Sequence, residues 1–170
     1  MNKQTHNFNQ SKKVGDSGER AVADLLDEEC RYYVDVTEQK EFFEPDIDFI
    51  CIRDNLDSDY IELKTDTYTS SNGNIALETW SNYEAETRGW YYECEADYLW
   101  YFALPEVVYE FKLDELRDFF GEDVASLDFE EKYVQNAGYS SRVVIVPLED
   151  IPEKLYVERP VRQVGQENTE

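Results

Sequence analysis

Five side chains in this sequence have the types and spacing to surround a hard divalent cation: the carboxyls of Glu19, Asp46, Asp48 and Glu62, and the ammonium of Lys64. Side chains on a strand alternate between its two faces. In the stretch Tyr60–Thr65 (YIELKT), Glu62 and Lys64 therefore share one face, while Ile61 and Leu63 point the other way. Asp46 and Asp48 share a face in the same manner if Asp46–Ile52 (DIDFICI) is a strand. Placing a glutamate and a lysine inside an apolar strand is costly unless they pair or have a task. Glu19 lies on the helical side of Val22, Ala23 and Leu26, so it can face inward from the first turn of a helix.

Such a set suits Mg²⁺, with Mn²⁺ as a substitute, because Mg²⁺ takes oxygen ligands and keeps several waters. The metal-ligand candidates are Asp48, Glu62, Glu19 and Asp46. A phosphodiester oxygen would complete the ion's shell, and an activated water would attack. Lys64 would orient or deprotonate that water, or stabilise the developing negative charge. No histidine is required, and the chain has only His6. That scarcity sets aside histidine-based triads and HExxH zinc sites.

Glu19, then PDIDFI with Pro45 and Asp46, then IELK with Glu62 and Lys64, resembles the PD-(D/E)XK nuclease superfamily. The order of helix glutamate, strand aspartate and strand Glu-x-Lys matches its core over roughly residues 14–104. Members include restriction endonucleases, archaeal Holliday-junction resolvases and phage recombination exonucleases. The stretches GNIALETWSN and GWYYECEADYLWYF further resemble small nuclease-like proteins of phages. The resemblance implies a restriction-endonuclease-like mixed sheet flanked by helices. It also implies an Mg²⁺-dependent deoxyribonuclease acting on branched or duplex DNA, in phage recombination or processing. On it, Glu62 and Lys64 are the second acid and the lysine, and Glu19 is the helix glutamate. The first acid is Asp46, which follows the proline, or Asp48, which precedes the apolar run; Asp48 is preferred. Glu78 or Asn82 would be the downstream polar support.

The elements that must position these groups follow from the pattern along the chain. Residues 1–13 read as a flexible arm, 14–158 as one domain and 159–170 as a polar disordered tail. Helical spacing predicts a helix over 16–29, with Asp16 or Ser17 capping it. Strands are expected at Tyr32–Val36, Asp46–Ile52 and Tyr60–Thr65, the last two forming a hairpin. Further strands are expected at Ile75–Trp80, Tyr98–Leu104, Val107–Leu113 and Val143–Val146. Between them lie a loop through TYTSSNGN and a helix over Glu115–Phe120 capped by Asp114 and ended by Gly121. A short turn or helix is expected near Asp150–Lys154. The fold class is α+β with an α/β core.

The 13 Tyr, 9 Phe and 3 Trp supply enough apolar area for a real core. The charge balance pulls against a nuclease: 39 acidic residues against 16 basic give a formal net charge of −23. Phosphate binding needs Lys and Arg. The candidates are Lys12, Lys13, Arg20, Lys64, Arg88, Arg142, Arg159 and Arg162, and a homodimer would bring two basic arms together. The rival readings are an inactive nuclease-fold protein that mimics DNA or docks on a basic partner, and a halophilic protein. On the bland reading, Glu62 and Lys64 form a solvated pair, Glu19 is a capping glutamate, and Asp46 and Asp48 guard a strand edge. Cys30, Cys51 and Cys94 form no CxxC, so they are expected as buried, unpaired thiols in a reducing cytoplasm, a host cytoplasm if the chain is phage-encoded. No apolar run approaches the ~20 residues of a membrane helix.

Overall fold

The chain alternates between strands and short helical turns, and the strands sort into two sheets. The structure, a computed structural model, describes residues 18–19, 21–121 and 123–161. The expected basic arm, the caps Asp16 and Ser17, Arg20, and Arg162 with the rest of the tail from residue 162 lie outside the described residues.

The first helix, α1, spans Ala23–Glu29; Gly18, Glu19 and Ala21 before it are also helical. It buries Val22, Leu25 and Leu26 and ends where Cys30 turns extended. Three antiparallel strands follow: β1 (Tyr32–Asp35), β2 (Phe49–Ile52) and β3 (Ser58–Asp66). The expected β2–β3 hairpin is present, with Phe49 opposite Ile61. Strand β2 starts later than the alternation predicts, because Asp46 sits in a turn at φ 50°.

After β3 the chain makes a helical turn, α2 (Thr69–Asn72), closed by Gly73 in the left-handed region. It then runs through β4 (Asn74–Asn82), β5 (Thr87–Arg88) and a second turn, α3 (Trp90–Glu93). It returns as β6 (Tyr98–Ala103), which lies parallel to β3, and β7 (Val107–Lys112). Strand β6 is buried on both faces, which is why YLWYFA reads as a continuous apolar run. Helix α4 spans Leu113–Phe120 and stops at Gly121. Its N-cap is Lys112, so Asp114 lies inside the first turn and does not cap. Strands β8 (Glu130–Gln135), β9 (Ser140–Pro147) and β10 (Tyr156–Pro160) complete the fold. Two 3-10 turns, Leu148–Asp150 and Glu153–Leu155, occupy the expected turn region.

One sheet is mixed, in the order β1-β2-β3-β6-β7-β10; the other is antiparallel, β5-β4-β9-β8. The α+β class holds, with a helix on each face of the large sheet and the second sheet sharing one of those faces. On one face α1 packs Val22, Leu25 and Leu26 on Phe49, Ile61, Leu63, Trp100 and Phe102. The other face is covered by the second sheet and α4, through Ile75, Leu77, Val144, Leu113 and Leu116 against Leu99, Tyr101 and Phe111. The tail is also shorter than expected, since Arg159 and Pro160 belong to β10. Arg159 forms two hydrogen bonds to the buried Glu110, at 3.0 and 2.8 Å, and pairs with Glu29.

The cysteines correct the sequence reading. Cys30 and Cys51 form a disulfide with Cα atoms 5.4 Å apart, joining the end of α1 to β2; Cys94 is free and buried. Pairing arises because both lie in the core between α1 and the sheet, a closeness their 21-residue separation hides. The bonded pair removes unpaired thiols as a reason for a reducing compartment. Among the described residues, no helix is long and apolar enough to cross a membrane.

Candidate functional site: a carboxylate cluster around Lys64

Strand β3 supplies the centre of the cluster. Glu62 is 3% exposed and sits on the face opposite α1, level with Leu99 of β6; Lys64 lies on the same face, level with Tyr101. The Lys64 ammonium contacts the Glu62 carboxylate directly. It also lies 5.8 Å from the centre of the Trp90 ring, a cation–π distance. With 29% of its side chain exposed, Lys64 is the group of the pair that meets solvent.

Asp48 joins the cluster from the residue before β2. Its amide donates to the Ile61 carbonyl at 2.9 Å, continuing the ladder, and its carboxylate accepts the Leu63 amide at 2.9 Å. The chain turns away from the sheet just before this point, so the side chain supplies the acceptor that the strand no longer offers. Asp46 is brought close by the turn itself. Its carbonyl accepts the Cys94 thiol at 3.2 Å, which ties that turn to the end of α3.

Glu78 of β4 approaches from the second sheet. Gly89 makes this approach possible: a Cβ there would stand 2.3 Å from the Glu78 carbonyl oxygen. Gly89 donates to the Thr79 carbonyl at 3.0 Å, and this sets Trp90 next to Glu78.

The electrostatics follow from one ammonium among several acids. Burial pushes the Glu62 carboxyl up; Lys64 pulls it back, Asp48 and Asp46 add to the rise, and it settles at about 8. Burial also raises Asp48, against Lys64, the Leu63 amide and a hydrogen bond with Glu62. Glu78 is raised by burial and by Asp46, against Lys64, Ser141 and the Trp90 amide. Burial alone would lower Lys64, but Glu62, Asp46 and Asp48 overturn that and hold it as an ammonium. The cluster thus contains more carboxyls than one lysine can balance. Additional positive charge is what this donor set lacks, and carboxylate oxygens are hard ligands. That chemistry fits Mg²⁺ or Mn²⁺. Among the described residues, however, no three side chains are already posed as a ligand set. Glu62 is turned to Lys64 and Asp48 to the Leu63 amide.

The structure therefore brings Asp48, Glu62 and Lys64 together, and Asp46 approaches them from a turn, not from the strand face that the spacing predicts. Glu19 is half-buried ahead of α1, next to Gly18, whose backbone abuts the side chain of Thr65, the residue after Lys64. That helix packs on the opposite sheet face. Of the two downstream candidates, Glu78 belongs to the cluster, while the Asn82 side chain accepts the Ala85 amide in a turn. Trp90 and Cys94 are additions the sequence reading did not assign, and their only local signal is Gly89 before a short aromatic helix. A surface cleft of about 410 Å³ lies apart from the cluster and is lined by Glu28, Cys30, Arg31 and Arg53 among others.

Set against known proteins, the chain matches no family profile, no curated protein and no solved structure.

Proposed function

We propose that the chain is a divalent-metal-dependent nuclease of the PD-(D/E)XK kind, hydrolysing DNA phosphodiester bonds at the Glu62–Lys64 cluster. The observation that carries this reading is the meeting of Asp46, Asp48 and Glu62 around Lys64, with Glu62 almost wholly buried and its carboxyl raised by that burial and by Asp48. The helix, the antiparallel strands and the placement of Glu-x-Lys on β3 agree with a restriction-endonuclease-like core.

Asp48 and Glu62 would hold the ion, with Asp46 beside them. When bound, a divalent ion supplies Lewis-acid charge next to the scissile phosphate. Lys64 is the group that reaches solvent, so it is placed to meet the phosphate or the attacking water and to stabilise negative charge as it develops. Glu62 positions Lys64 through their direct contact. The face of the Trp90 ring lies against the ammonium and limits its hydration.

The test is cleavage of labelled DNA substrates with Mg²⁺ or Mn²⁺, comparing the wild-type chain with Glu62→Gln and Lys64→Ala. Metal-dependent cleavage that both substitutions abolish supports the reading. Cleavage that survives both removes it.

A second reading rests on a different observation, the net charge of −23. A nuclease fold with so acidic a surface could dock on a basic partner as a mimic of DNA. Metal-independent, salt-sensitive binding to a DNA-binding protein, with no cleavage of any substrate, would favour it.

A further inference from the structure

One face of the second sheet carries a row of rings and guanidinium groups. Tyr133 of β8 is opposite Arg142 of β9, Arg142 is opposite Trp80 of β4, and Trp80 is opposite Arg88 of β5. Directly opposed residues share a face. The row therefore alternates ring and guanidinium across all four strands. Its contacts confirm the register: Arg142 lies 5.9 Å from the Tyr133 ring centre, and Arg88 lies 5.4 Å from that of Trp80 and 4.5 Å from that of Tyr92. Tyr83 stands edge-on between Trp80 and Tyr133, at 6.0 and 5.4 Å. Tyr133 is 56% exposed and Tyr83 42%.

The two arginines differ. Arg142 is engaged by Glu131, with its Nε 2.8 Å from the carboxylate. Among the described contacts Arg88 meets only rings, in a chain where acids far outnumber bases. The row also leads to the acidic cluster. Arg88 is two residues from Trp90, roughly 7 Å of chain, and Trp90 is the ring beneath Lys64.

We infer that this row is a platform for unpaired bases, and that the substrate class of the Lys64 site is single-stranded DNA. The inference rests on the nuclease reading and narrows it. Exposed rings bind bases by stacking, which is tolerant of sequence and works only where the bases are unpaired. Charge points the same way. Duplex DNA carries about one phosphate per 1.7 Å of axis and a single strand about one per 3.4 Å. A chain at −23 with one uncompensated arginine in the row is poorly matched to the duplex and better matched to a strand held largely through its bases.

The experiment is fluorescence anisotropy of the full-length chain with labelled oligothymidylate of ~16 nucleotides, against a duplex of equal length. EDTA is present so that nothing is cut. The single strand should bind at least ~10-fold more tightly than the duplex. Trp80→Ala and Tyr133→Ala should each weaken strand binding roughly tenfold, while Trp80→Phe retains most of it. Arg88→Ala should lower the slope of log affinity against log salt by about one. Circular dichroism confirms that each variant is folded. Equal or tighter duplex binding, or folded alanine variants that bind like wild type, would overturn the inference. The nuclease reading fails separately. If no DNA is cut with any metal yet the platform variants lose strand binding, the surface stands and the hydrolase does not. If Glu62→Gln abolishes cleavage while the platform variants bind normally, the reverse holds.

Discussion

The Asp48 carboxylate accepts the backbone amide of Leu63 at 2.9 Å, so an acid from one strand's approach is fixed to the strand that carries Glu62 and Lys64. The bond does two jobs, satisfying a ladder amide and holding a charge in place. Asn at this position can still accept the amide proton through its side-chain oxygen but brings no charge. Asp48→Asn should therefore fold, with stability within about 1 kcal/mol of wild type. It should lose metal-dependent cleavage by on the order of 100-fold. Thermal unfolding and an initial-rate assay separate the two effects, and a variant that cleaves normally would remove Asp48 from the site.

Glu84 is a pH-sensitive tie between β9 and the turn after β4. Its carboxylate accepts the Ser140 hydroxyl at 2.6 Å and the Ser140 amide at 2.8 Å. First the hydroxyl and then the amide hold it below the usual glutamate range. A carboxyl lowered on folding contributes stability above its unfolded pKa, and that contribution is lost as pH falls through the folded one. Glu84→Gln should lower the melting temperature at pH 7, and the gap from wild type should close in acid. A gap that does not change with pH would show that the charge plays no part.

Thiol counting tests the cysteine arrangement. Burial pushes the Cys94 thiol up to about 12, so almost none of it is thiolate at neutral pH. The native chain should react with a thiol reagent at no site, unfolded chain without reductant at one, and reduced unfolded chain at all three cysteines. Three reactive thiols in unreduced, unfolded protein would refute the Cys30–Cys51 bond.

Tyr91 presents an opportunity for stabilisation. The ring is 1% exposed, and its hydroxyl is buried with no hydrogen-bond partner among the described residues. An unsatisfied buried hydroxyl costs roughly 1–3 kcal/mol. Tyr91→Phe keeps the ring contacts with Trp90 and Tyr92 and removes that cost. Scanning calorimetry should find the melting temperature raised by about 2–4 °C per kcal/mol recovered. A lower melting temperature would mean the hydroxyl has a partner.

What could be read from the sequence was what periodicity carries. The run FICI marks one strand by its apolar continuity, and Ile61 and Leu63 alternate with Glu62 and Lys64, so the β2–β3 hairpin and the shared face of that charged pair follow from the local pattern. Strand β8 (EEKYVQ) gave no such signal, because it is a sheet edge with no residue fully buried, and solvent places no demand on its pattern. Without β8 the second sheet was invisible, and so was the row across it. Asp46 was misplaced for a local reason: the positive φ after Pro45 is a property of the turn, which alternation does not encode. Which face of the sheet α1 would cover was not legible either, because an amphipathic helix does not specify that.

Strands β3 and β6 lie side by side and run the same way, yet most of the second sheet's partners for the site are strung between them in sequence. Glu78, Arg88, Trp90 and Cys94 all belong to this excursion. No cut in the chain can release the smaller sheet as an autonomous fragment, since any boundary would sever it from β9 or open the larger sheet at its centre. Assembly must wait for β4 to meet β9 across a long stretch of intervening chain, an arrangement that slows folding. The acidic cluster is consequently complete only when both sheets have closed on each other.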